Sequence, residues 1–364
     1  MINELESKSR SGIHSMSMFG TATYRFCLCG GGAQTHVIGA WLSSQNYEVS
    51  ILTRKPFRWN KNYIVKTSDG PIEASIQTIS DNPSLVIPNA DIILLTVPGD
   101  ANREELEKIK PYVKPGSYVG GCFCSSGFFF DALHLFESNI KLWGFQRVPF
   151  IARIEEYGQI AVLKSSRPQM KIAVEYATSE EKEQFRQIIQ KCFKCETMLL
   201  NNYLEASITN SNPILHTARL YTMFSKLEQS NVFDHNILFY EEWTDEASNL
   251  LIQMDKELFS LLTFLPVAPN YLTPLLEYYE STDSKSLTKK ISSIEGFKGI
   301  TSPMKQLGDV WIPNFSSRYF TEDFGLGLFN IYKLAMEYGV DVPNIKKVLN
   351  WGLSVIKTSA SNQK

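Results

Sequence analysis

Two short segments hold residue types suited to proton transfer and to gripping a carboxylate. The first is Asn212-Pro213-Ile214-Leu215-His216-Thr217. Pro213 inside a helical run removes a backbone hydrogen bond and bends the chain. Such a bend can turn an imidazole out of its helix and into a cleft. Imidazole changes charge near neutral pH, which suits a group that takes and returns protons. The second segment is Arg318-Tyr319-Phe320-Thr321-Glu322-Asp323-Phe324-Gly325-Leu326-Gly327. A guanidinium can hold a carboxylate through two parallel bonds, and two acids follow it at the foot of a helix. Each residue also has a plainer reading. A single histidine often serves as a buried hydrogen-bonder, and Glu322 and Asp323 suit the first turn of a helix as favourable charges.

A third stretch, Arg25 to Lys55, would position a cofactor. Its pattern reads strand (Arg25-Phe-Cys-Leu-Cys29), glycine turn, apolar helix, strand (Glu48-Val-Ser-Ile-Leu-Thr53). Gly30 allows the tight turn off the strand. Gly32 lets a pyrophosphate approach the backbone, and the N–H groups of Ala33 and Gln34, opening the helix, face its charge. Thr35 replaces the third glycine of this dinucleotide fingerprint, which puts the packing of the helix in question. The second strand ends Thr53-Arg54-Lys55 instead of in the acid that meets a free ribose 2′-hydroxyl. Two cations there suit a 2′-phosphate, so the expected cofactor is NADP(H).

The elements that must carry these groups follow from hydrophobic period. The run Asn89 to Pro98 is a buried parallel strand whose carboxyl end, at Val97 and Pro98, would lie beside the cofactor. Ser117 to Cys124 is another strand, ending in Ser125-Ser126-Gly127. Ligands sit outside the carboxyl ends of such strands, so these two loops are the expected nicotinamide walls. Asn139 to Gly144 is a further strand, and alternation over residues 158–176 around Ser165-Ser166-Arg167-Pro168 suggests a β-hairpin. Thr178 and Glu181 form a capping-box pattern opening a helix to about Phe193. Beyond residue 200 the period is helical: Leu204 to Leu227, Asp245 to Leu262, Thr273 to Tyr279, Leu328 to Tyr338 and Val342 to Val355. The expected architecture is α/β. A flexible leader spans residues 1–20, a Rossmann-type doubly wound parallel sheet binding NADP spans 21–200, and an all-helical substrate domain spans 201–364.

With 364 residues, two domains can each bury a core. A net charge of −2 gives no basic footprint for nucleic acid. No apolar run approaches a membrane span. Cys27/Cys29 and Cys122/Cys124 alternate along strands as buried thiols do. Cys192-x-x-Cys195 has no second Cys/His pair at zinc spacing, so no metal is expected. The chain reads as cytoplasmic, and a homodimer is expected.

In order along the chain stand Gly30-x-Gly32, Asn212-Pro213-x-x-His216 and Arg318-Tyr319-x-x-Glu322-Asp323. Over nearly its whole length the sequence resembles the octopine (opine) dehydrogenase family. Gly144-Phe-Gln-Arg-Val-Pro-Phe-Ile-Ala-Arg153 and the Arg54 strand end look closest to its bacterial metallophore branch, similar to staphylopine and pseudopaline dehydrogenases. The resemblance implies coupling of an amine to a 2-oxo acid and reduction of the imine with NADPH. It implies His216 as general acid/base, Asp323 as its partner and Arg318 as the clamp on the oxo-acid carboxylate. The second nitrogen of His216 is expected to face the cleft. The amine would belong to a nicotianamine-like intermediate, and the oxo acid would be pyruvate or 2-oxoglutarate. Two other readings stand beside it. One is a reductase of the ketopantoate or glycerol-3-phosphate dehydrogenase kind, which would use a lysine base. The other is an NADPH-binding redox sensor without enzymatic activity.

Overall fold

The computed structural model of the protein describes residues 24–226 and 232–361, so the leader expected over residues 1–20 lies outside the described residues. β1 (Arg25–Cys29) turns at Gly30 into α1 (Ala33–Ser43) and returns as β2 (Glu48–Leu52), parallel to β1. β3 (Asn62–Lys66), β4 (Ile72–Ser75) and β5 (Thr78–Ser80) follow, then β6 (Ile92–Leu95), α2 (Asn102–Ile109), β7 (Tyr118–Gly121) and α3 (Phe128–Leu135). After β8 (Lys141–Phe145) come β9 (Phe150–Glu156), β10 (Ile160–Ser166), β11 (Gln169–Glu175), α4 (Ser179–Phe193) and β12 (Glu196–Leu199). Eight strands form one sheet in the order β12-β11-β8-β7-β6-β1-β2-β5. Every neighbouring pair in it is parallel except β11 and β8. The order reverses at β1, and at such a switch point the loops after β1 and β6 part to leave a crevice. This is a Rossmann-like sheet, with its central strands apolar and buried on both faces as parallel strands must be.

The hairpin expected over residues 158–176 does not form. β10 and β11 are consecutive but lie in different sheets: β10 pairs with β9 and β3 in a four-stranded sheet, while β11 pairs with β8 and β12. The chain crosses between sheets at Arg167-Pro168, where Arg167 donates its backbone N–H to Pro149 O and its Nε–H to Val148 O. The true hairpin joins β9 to β10, one strand earlier, with Tyr157 and Gly158 at its tip. Alternation marks both strands equally, and only the pairing partner distinguishes the two arrangements. Thr178 and Glu181 do form the capping box of α4.

The second half is helical: α5 (Tyr203–Ser207), α6 (Thr217–Phe224), α7 (Asp245–Leu262), α8 (Leu275–Tyr278) and α9 (Ser284–Ser293). One short antiparallel pair, β13 (Met304–Leu307) and β14 (Val310–Pro313), interrupts it before α10 (Arg318–Thr321), α11 (Phe329–Glu337) and α12 (Pro343–Ser361). α7 matches its expected bounds because its start is signalled locally: Thr244 accepts from Ala247 N–H, and two acids fill the first turn. This half has its own core, including Leu215, Leu220, Phe239, Phe320, Phe324 and Leu349. Among the described residues no helix is long and apolar enough to cross a membrane.

Candidate active site

A cleft of about 540 Å³ opens where the strand order reverses. Gly30, Gly32, Ala33 and Gln34 form its floor, and Val97, Pro98, Cys122 and Ser126 form one wall. Gly30 takes φ +143°, a conformation that favours glycine. Gly32 leaves open space above its backbone, with no atom nearer than 3.9 Å to where a side chain would begin. α1 is preceded at its N-terminus by Gly32, with no side-chain cap and no acid in its first turn. Its first N–H groups therefore remain available to an anion. Thr35, the departure from the fingerprint, is fully buried and bonds Thr96 Oγ1 at 2.7 Å. Thr96 in turn donates to Cys29 O at 3.0 Å. A hydroxyl pair thus closes the helix-to-strand contact that a third glycine would otherwise leave close-packed. These features fit a dinucleotide.

At the other end of the cleft stand Thr53, Arg54 and Lys55, all on its wall. Glu105 and Lys108 of α2 face them across the opening. Burial raises the Glu105 carboxyl, and Lys108 and Arg54 offset that rise. Neither α2 residue was singled out in the sequence. They sit on a helix face with no motif, and only the fold brings them opposite β2.

Arg318 reaches the same cleft from the helical half, with Glu322 beneath it. The Arg318 Nε and Nη2 groups donate to Glu322 at 2.5 and 2.9 Å. That carboxylate holds the guanidinium charged, raising its pKa further. One edge of the guanidinium is thus taken by Glu322, and its Nη1/Nη2 end remains for an incoming carboxylate.

His216 and Asp323 each lie on a π-helical turn, Ser211–His216 and Asp323–Leu328, and the two turns pack together. Turns with i→i+5 bonds carry one extra residue, so they reset which side chains face inward, and they recur at functional sites. Pro213 begins the first distortion by withholding a backbone donor. The two turns bring His216 Nδ1 to 2.9 Å from Asp323 Oδ2 across 107 residues of sequence.

The second nitrogen does not face the cleft as expected. His216 Nε2 lies 3.0 Å from Tyr240 Oη. With Nδ1–H donating to Asp323, Nε2 accepts the Tyr240 hydroxyl. The reason is an aromatic frame. Tyr240 stacks on Phe297 with ring centroids 4.1 Å apart and lies parallel to Trp243, while buried Arg219 donates to the carbonyls of Phe239 and Glu242 on either side of it. Burial also pushes the Tyr240 phenol up, so it stays a donor. Nothing in the sequence around Tyr240 marks it. Its place is set by Arg219, one turn beyond His216, and by loops distant in the chain.

Cys27, Cys29, Cys122, Cys124, Cys192 and Cys195 are free thiols. Among the described residues no group of three or more His, Cys, Asp or Glu could hold a metal ion.

Two family models match separate parts of the chain. Residues 199–356 match the family model described as NAD/NADP octopine/nopaline dehydrogenase, alpha-helical domain. Residues 26–121 match that of ketopantoate reductase PanE/ApbA. Tauropine dehydrogenase of Arabella iricolor is 28% identical over 361 residues, covering 89% of each chain. A solved octopine dehydrogenase with NADH and L-arginine shares the fold at a TM-score of 0.79 and 23% identity, covering 92% of this chain and 90% of that one. A yersinopine dehydrogenase bound to NADP+ shares it at 0.66 and 13%, covering 92% and 91%. The helical half matches the octopine/nopaline dehydrogenase model, and the chain is similar to opine-type dehydrogenases over most of its length, as an oxidoreductase acting on a CH–NH bond would be.

Proposed function

We propose that the protein uses NADPH to couple the free amine of an amino acid or amino-acid-derived compound to a 2-oxo acid, forming a secondary amine. The observation that carries this reading is the His216–Asp323 pair, whose Asp323 belongs to the same segment that carries Arg318 into the dinucleotide cleft. Arg318 binds the oxo-acid carboxylate through the guanidinium end that Glu322 leaves free, and its charge makes the neighbouring carbonyl carbon more electrophilic. The amine nitrogen attacks that carbon, forming the C–N bond, and the carbonyl oxygen leaves as water. The departing oxygen takes two protons, one that His216 removes from nitrogen and relays at Nε2, the atom that Tyr240 caps in the free protein, and one drawn from solvent, which leaves a protonated C=N bond. Asp323 on Nδ1 fixes the tautomer and stabilises the imidazolium that forms. The nicotinamide cofactor, when bound, supplies the hydride that reduces the C=N carbon.

NADPH is favoured by the cations Arg54, Lys55 and Lys108 around the end of β2, where a 2′-phosphate would lie. The amino-acid half of the substrate is supported by the likeness to tauropine dehydrogenase and octopine dehydrogenase. The larger, nicotianamine-like metallophore amine is supported by the run from Gly144 to Arg153, whose Arg153 adds a second guanidinium to the cleft for the extra carboxylates of such a molecule. Six unpaired thiols suit a cytoplasmic setting. NADPH oxidation, followed with pyruvate, oxaloacetate or 2-oxoglutarate and a panel of amines, tests the reading. Oxidation should require both an oxo acid and an amine. Consumption by an oxo acid alone would make the protein a hydroxy-acid-forming reductase instead.

A further inference from the structure

A hydroxyl from outside the β1–α1–β2 unit meets the glycine turn. Tyr157, at the tip of the β9–β10 hairpin, lies on the cleft wall with Thr53, Arg54 and Lys55. A side-chain carbon added at Gly31 would come within 2.3 Å of Tyr157 Oη and 2.9 Å of Thr53 Oγ1. The middle position of a G-x-G turn can ordinarily carry a side chain. Here it is glycine because two hydroxyls crowd its Cα. Those hydroxyls are 3.4 Å apart, a long contact that leaves both with hydrogen-bonding capacity to spend elsewhere.

The tip is fastened to the turn it overhangs. Gly158 N–H donates to His36 Nε2 at 2.8 Å, and His36 Nδ1–H donates to Gly32 O at 2.8 Å. The Tyr157 ring stands edge-on to His36 and Trp59, at 5.5 and 5.7 Å, and the Arg58 guanidinium lies 4.8 Å from its centre. Both the ring and the backbone behind it are therefore held, while the hydroxyl lies beside Gly31 and Thr53 on the wall that Arg54 and Lys55 also line. A tyrosine placed only for packing would not need its polar end at the cleft wall.

We propose that Tyr157 is a cofactor-specificity residue, its hydroxyl donating, beside Thr53, to the 2′-phosphate of NADPH. The proposal rests on the NADPH reading above. Arg54 and Lys55 supply charge there, whereas Tyr157 supplies direction from a fixed ring, at little cost in side-chain freedom.

Calorimetry on the full chain, without substrates, tests it with two probes: 2′-phospho-ADP-ribose and ADP-ribose. Tyr157→Phe keeps the ring and removes the donor. It should weaken 2′-phospho-ADP-ribose about tenfold, as loss of a hydrogen bond to a charged group does, and change ADP-ribose less than about twofold. Gly31→Ala, which pushes the hydroxyl aside while leaving Tyr157 in the chain, should give the same selective loss. Unchanged binding of 2′-phospho-ADP-ribose by Tyr157→Phe, or equal losses for both probes, would overturn the role of Tyr157. If instead the wild-type chain prefers ADP-ribose, it is the NADPH reading that fails.

Discussion

His36 and His216 are both shielded from water, both near the start of a helix that follows a distorted turn, and both have each ring nitrogen hydrogen-bonded. Their partners differ in kind. His36 is bonded to backbone alone, the carbonyl of Gly32 and the N–H of Gly158. Neither can titrate or leave without unmaking the fold. Burial, only partly offset by the Gly32 bond, pushes this imidazole down to about 4, so it stays neutral as a rivet. His216 is bonded to side chains alone, the Asp323 carboxylate and the Tyr240 hydroxyl. A carboxylate can stabilise a charged ring, and a hydroxyl can give way to a substrate atom. A satisfied histidine is thus read through its partners: fixed backbone groups make a strut, whereas polar side chains are what a proton-transfer centre would use.

The largest difference should come from Asp323→Asn. The amide can hold the wrong tautomer of His216, so turnover should fall by about 10³–10⁴-fold, while the melting temperature stays close to wild type. A smaller and opposite pattern is expected for His36→Gln. Its folded value of about 4 lies below the ordinary 6.5. The unfolded chain therefore takes up the proton first, and stability is lost as pH falls from about 6.5 to 4. Over 6.5 − 4 = 2.5 units the loss is roughly 3 kcal/mol. Denaturant melts across that range should show this acid limb in wild type and in Asp323→Asn but not in His36→Gln, whose stability at neutral pH should be lower.

Arg54→Ala sharpens the cofactor side of the comparison. It should weaken NADPH by about 1.5–3 kcal/mol and leave NADH nearly unchanged, and equal losses for both would remove the 2′-phosphate from this end of the cleft. Tyr240→Phe should have the smallest effect. It removes one neutral hydrogen bond to Nε2, worth about 1 kcal/mol, so steady-state turnover should change no more than about tenfold. A loss as large as that of Asp323→Asn would make Tyr240 an obligatory relay.

The two centres also differ in how far they could be read from the chain. The glycine turn and the basic end of β2 fall between residues 30 and 55, and a parallel βαβ unit leaves them little freedom, so Gly30, Gly32, Arg54 and Lys55 line one cleft. Tyr157, Glu105 and Lys108 reach that cleft only through pairing of distant elements. The second sheet was invisible because strand alternation does not name its partner, and the hairpin was accordingly placed one strand too late. In the helical half, Pro213 announced a distortion, and the motifs located His216, Arg318 and Asp323. The π form of both turns, the Glu322 contact to Arg318 and the Tyr240 cap depend on packing between loops far apart in sequence. α9 was missed although Asp283 and Ser286 form a capping box there, because its apolar positions are few.

The most direct test of the account is a cycle of His216→Ala, Asp323→Asn and the double variant, with turnover measured at saturating NADPH, oxo acid and amine, and NADPH binding measured separately by calorimetry. Because the pair acts as a unit, His216→Ala should lose about 10²–10⁴-fold in turnover and the double variant little more, with NADPH affinity unchanged in all three. Turnover near wild type in His216→Ala, or losses that simply multiply in the double variant, would contradict the proton-transfer role and make His216 a strut like His36.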